Sequence, residues 1–420
     1  MLREKIFSNI YFNGYEEDKF KSNMLTVKFI LPLESNTASK YAIIPYILTM
    51  GNREYETIIM LNKKLNSLYG SNILVDVKKK GAYQIISVGI NFIDKRYMFG
   101  NKDISEECCN LLFSILNNPH LEGVFFDEKN IKIAKRQMLN KINIRVNNKN
   151  LYAIDRCNDI MFENEKLQVH KYGCKQDINF LDRQDLKEAY YDVINKSRIE
   201  IIYIGSGNIE SIKEICKSSI KREYGFCNFV VNFKNSILKN KSADVEETMK
   251  VSQSKLVIGF KCEEEINEKL AREFMVMDML FGRAPFSKLF LNVREKMNLC
   301  YNCNSIYDKY SNTMLVFMGL DSKDKDKALK ETLKQLKKIQ EGMFGYQDLD
   351  NIKSLLNNIY LQSKDSLESM TERYFSQLLF GTERSIDEEM DLLEKISKDE
   401  IMDVAGKLKL DTVYLLKGGE

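Results

Sequence analysis

The sequence predicts an α+β protein of two related modules, each a mostly antiparallel or mixed sheet flanked by helices. Three observations predict it. Segments with strand-like alternation and segments with helical periodicity follow one another along the whole chain. One closing unit, a helix running into a strand and then a glycine turn, occurs twice, about 210 residues apart. Between the two copies, Asn232 to Glu247 is polar and rich in Lys, Asn and Ser, which suits a surface linker. The expected organisation is therefore a module over 1–222, a linker region over 223–244 and a second module over 245–420. The 420 residues are ample for two cores.

The elements follow in order. Met24 to Leu31 alternates as a strand, and helical text runs from Tyr41 to Tyr69. A strand pair is expected at Asn72–Val77 and Tyr83–Ile93, then helices at Ser105–Leu116 and Glu128–Val146. The helix Asp185–Ile194, the strand Ile199–Ile204 and the turn Gly205-Ser206-Gly207 close the first module. The second opens with the strand Ser254–Phe260 and a helix over Glu265–Phe281, broken at Gly282–Pro285. A short helix and the strands Leu299–Ile306 and Thr313–Gly319 come next. Ala328, Leu329, Leu333, Leu336 and Ile339 recur at helical spacing, which predicts core packing on a sheet. The capping box Ser397-Lys398-Asp399-Glu400 starts a last helix through Leu408, and the strand Thr412–Leu416 with Gly418-Gly419 ends the chain.

Composition excludes several classes. With 63 basic and 60 acidic side chains the net charge is +3, so nothing electrostatic points to nucleic acid or to an anionic membrane surface. Met1 to Asn23 has no continuous apolar stretch and does not read as a signal peptide; the longest apolar runs are too short to span a bilayer. Nine scattered cysteines read as reduced thiols of a cytoplasmic protein. Cys300 and Cys303 form one literal Cys-x-x-Cys. No second pair completes a zinc knuckle, and the spacing reads as chance within a strand.

One long segment carries a family resemblance. Phe281-Gly282-Arg283-Ala284-Pro285-Phe286-Ser287-Lys288-Leu289-Phe290, then Val293-Arg294-Glu295-Lys296 and Leu299-Cys300-Tyr301, resembles the C-terminal signature of M16 (insulinase/processing-peptidase) metallopeptidases. His170-Lys171-Tyr172-Gly173 is similar to that family's His-Pro-Tyr-Gly, and the wording around Ser287–Lys296 most resembles its YmfF/YmfH-like branch. The resemblance implies two M16-type modules that close like a clamshell around a peptide. Arg283 and Ala284 depart from it by replacing two of the usual glycines; Gly282 and Ser287 are the expected substrate-loop residues.

Active members of the family carry His-x-x-Glu-His on an early helix and a further Glu on a later one. Residues i and i+4 share a helix face, so both imidazoles meet one zinc while the Glu activates its water. Here the matching positions hold Ala42, Pro45 and Tyr46, none able to serve in that way, and Lys129–Lys149 contains no Asp or Glu. The two histidines, His120 and His170, stand fifty residues apart. The chain is therefore expected to bind no metal and to hold no cofactor of its own, with zinc expected in a partner.

The resemblance also implies an Arg/Tyr pair, matched by Arg294 and Tyr301. In two-chain members one chain carries zinc and the other offers this pair. A phenol can donate to a developing oxyanion and a guanidinium can hold a peptide carbonyl. Otherwise Arg294 would be a solvated charge and Tyr301 core filler. Two functions are carried forward. In the first the chain is the non-metal subunit of a heterodimeric zinc peptidase, inactive alone, its partners a homologous zinc-bearing subunit and a peptide substrate. In the second it is a non-catalytic peptide-binding or scaffold protein supporting a protein-modification pathway.

Overall fold

The computed structural model describes residues 2–99, 103–220, 229–234 and 237–418. Of the expected linker, residues 223–228 and 235–236 lie outside the described residues, as does Gly419 of the last turn. The chain forms two compact units. Unit 1 holds Met1–Asn143, Val169–Val231 and Leu367–Phe375; unit 2 holds Ile144–Gln168, Asn232–Ser366 and Ser376–Glu420.

Unit 1 is built on a six-stranded sheet of β1 (Leu2–Phe7), β2 (Ile10–Glu16), β3 (Ser22–Pro32), β4 (Asn72–Lys80), β5 (Tyr83–Ile93) and β8 (Arg198–Gly205), in the order β1-β2-β8-β3-β5-β4. The short hairpin β6 (Leu121–Glu122) and β7 (Phe125–Phe126) stands apart. Its helices are α1 (Ser35–Leu48), α2 (Ile58–Ser67), α3 (Ser105–Asn117), α4 (Glu128–Asn147), α6 (Lys175–Phe180), α7 (Arg183–Lys196) and α8 (Ile209–Ser219), of which α1, α3, α7 and α8 pack on the sheet. Asp182 caps α7 through a reciprocal capping box with Asp185.

Nine consecutive residues of β3 are buried, so both faces of this central strand are covered, including that of Lys28. The cover on the Lys28 side comes from far along the chain. In α12 (Leu367–Leu379), Glu372 takes an ion pair from Lys28 at 2.5 Å and another from Lys78 at 2.9 Å.

Unit 2 has a five-stranded sheet of β9 (Ala243–Met249), β10 (Ser254–Lys261), β11 (Cys300–Asp308), β12 (Thr313–Leu320) and β13 (Lys409–Gly418), in the order β11-β12-β10-β13-β9. Its helices are α5 (Lys149–Met161), α9 (Glu268–Asp278), α10 (Lys325–Gln340), α11 (Tyr346–Ser363), α13 (Ile386–Glu394) and α14 (Lys398–Lys407). The duplicated module is plain in the topology. In unit 1, β2 runs parallel to β8, and β8, β3, β5 and β4 then alternate antiparallel. In unit 2, β9 runs parallel to β13, and β13, β10, β12 and β11 alternate likewise.

The compact units depart from the linear boundaries 1–222 and 245–420 because each includes a segment from the opposite half of the chain. Packing explains the transfer of α5. Gly259 of β10 leaves room for Met161 and Cys157 of α5; a Cβ at Gly259 would lie 2.6 Å from the Met161 sulfur. Lys261, fully buried, donates to the Met161 carbonyl at 2.7 Å. The polar text expected to be linker also corrects itself at its end. Ala243–Met249 pairs with β13 as an edge strand, and Glu247 accepts from the Tyr152, Tyr414 and Arg156 side chains.

Candidate functional site

The positions matched to a zinc motif lie on α1, immediately after β3. Ala42, Pro45 and Tyr46 are all buried there. Pro45 removes one backbone donor from inside the helix, and Thr49 donates its hydroxyl to the Pro45 and Tyr46 carbonyls one turn on. Burial pushes the Tyr46 phenol well above its ordinary pKa, with Tyr172 and Asp76 adding to the shift, so this oxygen stays protonated at neutral pH.

Helix α4, free of acids from Lys129 onward, supplies a cation: the Lys141 ammonium stands 5.3 Å from the centre of the Tyr46 ring. An alanine, a proline, a neutral phenol and an ammonium do not fit a divalent zinc. Among the described residues, no group of three or more His, Cys, Asp or Glu is placed to hold a metal ion. Lys141 escaped sequence reasoning, which registered the missing acids of this helix but not the base that faces α1.

The His-Lys-Tyr-Gly stretch supports α1 from outside. The Tyr172 N–H donates to His170 Nδ1, and the Gly173 N–H to the His170 carbonyl. Gly173 has φ +63°, and a Cβ there would lie 2.7 Å from the Ser39 backbone nitrogen, so the turn abuts α1 directly. His170 thus orders a turn.

The second locus is in unit 2. After α9 the helix widens into two π-helical stretches, Met279–Arg283 and Phe290–Lys296, marked by the bonds Ala284 N–H to Met279 O and Met297 N–H to Asn292 O. Wide turns of this kind re-aim side chains relative to a regular helix and recur at functional sites. Here the second carries Arg294. Asn298, at φ +50°, then turns the chain into β11.

β11 begins with a bulge. Cys300 pairs with Leu320 and Asn302 with Gly319, leaving Tyr301 as the extra residue. The bulge directs Tyr301 outward, 81% exposed, while Cys300 and Cys303 both turn into the core. The Arg294 guanidinium lies 4.5 Å from the centre of the Phe290 ring and 5.8 Å from that of Tyr301.

The structure therefore brings the predicted pair together. Both line an open pocket of about 340 Å³, with Gln253, Glu295, Cys300 and Asp321. Tyr301 is not core filler.

Gly282 and Ser287, read as substrate-loop residues, are buried instead. A Cβ at Gly282 would lie 2.6 Å from the Ser305 hydroxyl of β11, and the Ser287 hydroxyl accepts from the Phe290 N–H. They hold the loop from inside. Of the two replaced glycines, Arg283 reaches back to within 3.8 Å of Asp278 and Ala284 is buried.

Comparison with known proteins agrees with this geometry. Residues 181–356 match the Peptidase M16 inactive domain. The chain is 26% identical over 403 residues, 96% of its length and 94% of the other's, to the "Probable inactive metalloprotease YmfF" of Bacillus subtilis (strain 168). Among solved structures, a conserved protein from Enterococcus faecalis V583 superposes with a TM-score of 0.92 at 21% identity, covering 100% of this chain and 98% of that one. A protease from Helicobacter pylori superposes with a TM-score of 0.82 at 12% identity, covering 99% of each; both likenesses concern the fold. With the signature of unit 2, the duplicated sheet and the altered motif of α1, the chain resembles the M16 peptidase family, whose inactive domain matches residues 181–356, and it carries no His-x-x-Glu-His zinc motif.

Proposed function

We propose that this chain is the non-metal subunit of a two-chain M16-type zinc peptidase, lending peptide binding and the Arg294/Tyr301 pair to a homologous partner with an intact zinc motif. One observation carries the reading: Tyr301 is held out on a bulge, 81% exposed, beside Arg294 at an open pocket. A phenol so placed can donate to an oxyanion that forms on a partner's substrate, and the guanidinium can hold a peptide carbonyl or carboxylate. The name of the Bacillus subtilis relative, a probable inactive metalloprotease, supports the absence of hydrolysis by this chain alone.

A cytoplasmic location belongs to the same proposal. It is supported by thiols such as Cys108, Cys109, Cys157 and Cys216, buried and unpaired. No helix of the described residues is long and apolar enough to cross a membrane.

The test is reconstitution with a zinc-bearing M16 chain from the same organism. Tyr301→Phe should lower kcat roughly ten- to a thousand-fold with KM nearly unchanged. Arg294→Ala should chiefly raise KM, because a guanidinium that holds the peptide acts already in the ground state. Full turnover by Tyr301→Phe in a stable complex leaves a scaffold, and failure of the two chains to associate overturns the subunit reading.

A further inference from the structure

The Cys-x-x-Cys that reads as chance spacing has a geometry that chance spacing in a regular strand would not give. Residues i and i+3 of a strand point to opposite faces. The extra residue at Tyr301 cancels that alternation, so Cys300 and Cys303 share the inner face of β11. Their environments differ. Cys300 lines the Arg294/Tyr301 pocket and Cys303 is not among the residues lining it, though both thiols are buried, at 6% and 8% exposure. Arg294 lines the same pocket as Cys300, so its positive charge faces the space beside that thiol.

These groups favour one thiolate. The neighbouring Cys303 thiol and the Arg294 charge lower the pKa of Cys300 against the opposing effect of its burial, while the neighbouring Cys300 and burial raise that of Cys303 well above the ordinary thiol value. The other buried cysteines with shifted values, Cys108, Cys109, Cys157, Cys216 and Cys262, all move upward, with burial as the leading cause.

We propose that Cys300 is a thiol-modification site at the floor of the Arg294/Tyr301 pocket, which takes small disulfides, preferably anionic ones, by thiol–disulfide exchange. Cys300 loses its proton to water, and the thiolate attacks one sulfur of the disulfide. A new sulfur–sulfur bond forms to Cys300, the original one breaks, and the second half leaves as a thiolate. The adduct occupies the space beside Tyr301, and a reducing thiol restores the site by the reverse exchange. Cys303 and Arg294 are positioning residues for this thiolate. The exchange itself stands apart from the peptidase proposal; only an effect of the adduct on turnover rests on that reading.

The experiment treats the full, reduced chain at pH 7 with the dianionic disulfide 5,5′-dithiobis(2-nitrobenzoate). Adduct formation at each cysteine is followed by peptide mapping with mass spectrometry. Cys300 should take an adduct in the native protein, removable by thiol, and the exposed Cys174 serves as the internal comparator. Arg294→Gln and Cys303→Ala should each slow the Cys300 reaction relative to Cys174. Nucleophilicity falls as acidity rises, so the rate changes only by about threefold for each tenfold change in thiol acidity.

Arg294 is partly exposed, so Arg294→Gln tests the idea even where Cys303→Ala folds poorly. An unmodified Cys300 in a chain whose Cys174 has fully reacted overturns the proposal. So does a Cys300 rate indifferent to Arg294→Gln. Because the readout is a mass and a rate on the isolated chain, it distinguishes failure of this site from failure of the subunit reading.

Discussion

Glu372→Gln should loosen α12 from the sheet of unit 1. Glu372 bridges two ammonium groups, Lys28 at 2.5 Å and Lys78 at 2.9 Å, with only 28% of its side chain exposed. The two cations outweigh burial and hold its pKa down to about 2, against an ordinary 4.5. At about 1.4 kcal/mol per tenfold change, that gap corresponds to about 3 kcal/mol of stability at neutral pH.

Because the folded value lies below the unfolded one, this stability is fully present above about pH 4.5. It is lost as pH falls toward 2. Lys28 works against it: burial, ahead of the pull of Glu372, lowers its pKa, so its charged form carries a cost in the fold that is relieved only in alkali. The net value of the intact bridge is therefore smaller than 3 kcal/mol. Removing one partner is worse, since it leaves Lys28 buried against Ser87 and the Phe375 ring without a counter-charge, a loss of about 3–5 kcal/mol.

The assay is urea unfolding at pH 7, read together with limited proteolysis at residues 364–366, because two units need not melt as one. Glu372→Gln should lower stability by about 3 kcal/mol and speed cutting at 364–366. Lys28→Met with Glu372→Leu should restore most of it. A loss under about 1 kcal/mol in the single variant, or a double variant no better than the single, refutes the reasoning.

Three further outcomes are open to measurement. Ala42→His/Pro45→Glu/Tyr46→His should gain little zinc by metal analysis of the purified variant until Lys141→Glu removes the ammonium facing α1; stoichiometric, tightly held zinc in the triple variant alone refutes the role given to Lys141. Gly173→Ala should cost about 2 kcal/mol in thermal or urea unfolding, because it forces a side chain into a positive φ and against the Ser39 backbone. Expressed apart, residues 1–222 and 245–420 should lack cooperative unfolding and regain it when co-expressed, since the first fragment retains α5 without β10 and β13, and the second retains α12 without β3. Two separately cooperative transitions would restore the linear boundaries.

Much of the fold was legible because its central strands carry their own signal. β5 begins and ends where alternation placed it, at Tyr83 and Ile93, and β3, β8 and β10 lie within two residues of expectation. The missing elements are edge strands without a clean alternation and a helix whose stabilising partner lies far away in sequence. β1 reads Leu-Arg-Glu-Lys-Ile-Phe and β9 Ala-Asp-Val-Glu-Glu-Thr-Met: edge strands, half-solvated, whose pairing comes from β2 and from β13. α5 has an ordinary helical face, and nothing local says that Gly259, a hundred residues on, receives it.

The candidate site divides in the same way. Loss of the zinc ligands is a matter of residue type and could be read directly, and the signature located Arg294 and Tyr301. Burial of Gly282 and Ser287 could not be read, because glycine and serine look alike in a loop and in a tight packing contact. The inner face shared by Cys300 and Cys303 depends on one inserted residue in a ladder.

The duplication lets the two modules be compared at equivalent places. α1 follows β3 as α9 follows β10, and the pair β4–β5 corresponds to β11–β12 in the same chain order. At the first place the positions matched to a zinc motif are core: Ala42 and Tyr46 are buried, and the helix contains a proline. Groups that bind metal must stay polar and reachable, which limits packing, so apolar filling there is the stabilising exchange. At the second place the local choices run the other way. A large aromatic is 81% exposed on a bulge, an asparagine takes a positive φ, and two helical stretches depart from regular geometry. Each is unfavourable or neutral for folding alone, and together they aim one phenol and one guanidinium into the same pocket. Unit 1 carries departures of its own, Pro45 inside α1 and Tyr69 at φ +56° before β4, so what distinguishes unit 2 is that its departures set Arg294 and Tyr301 together at one pocket.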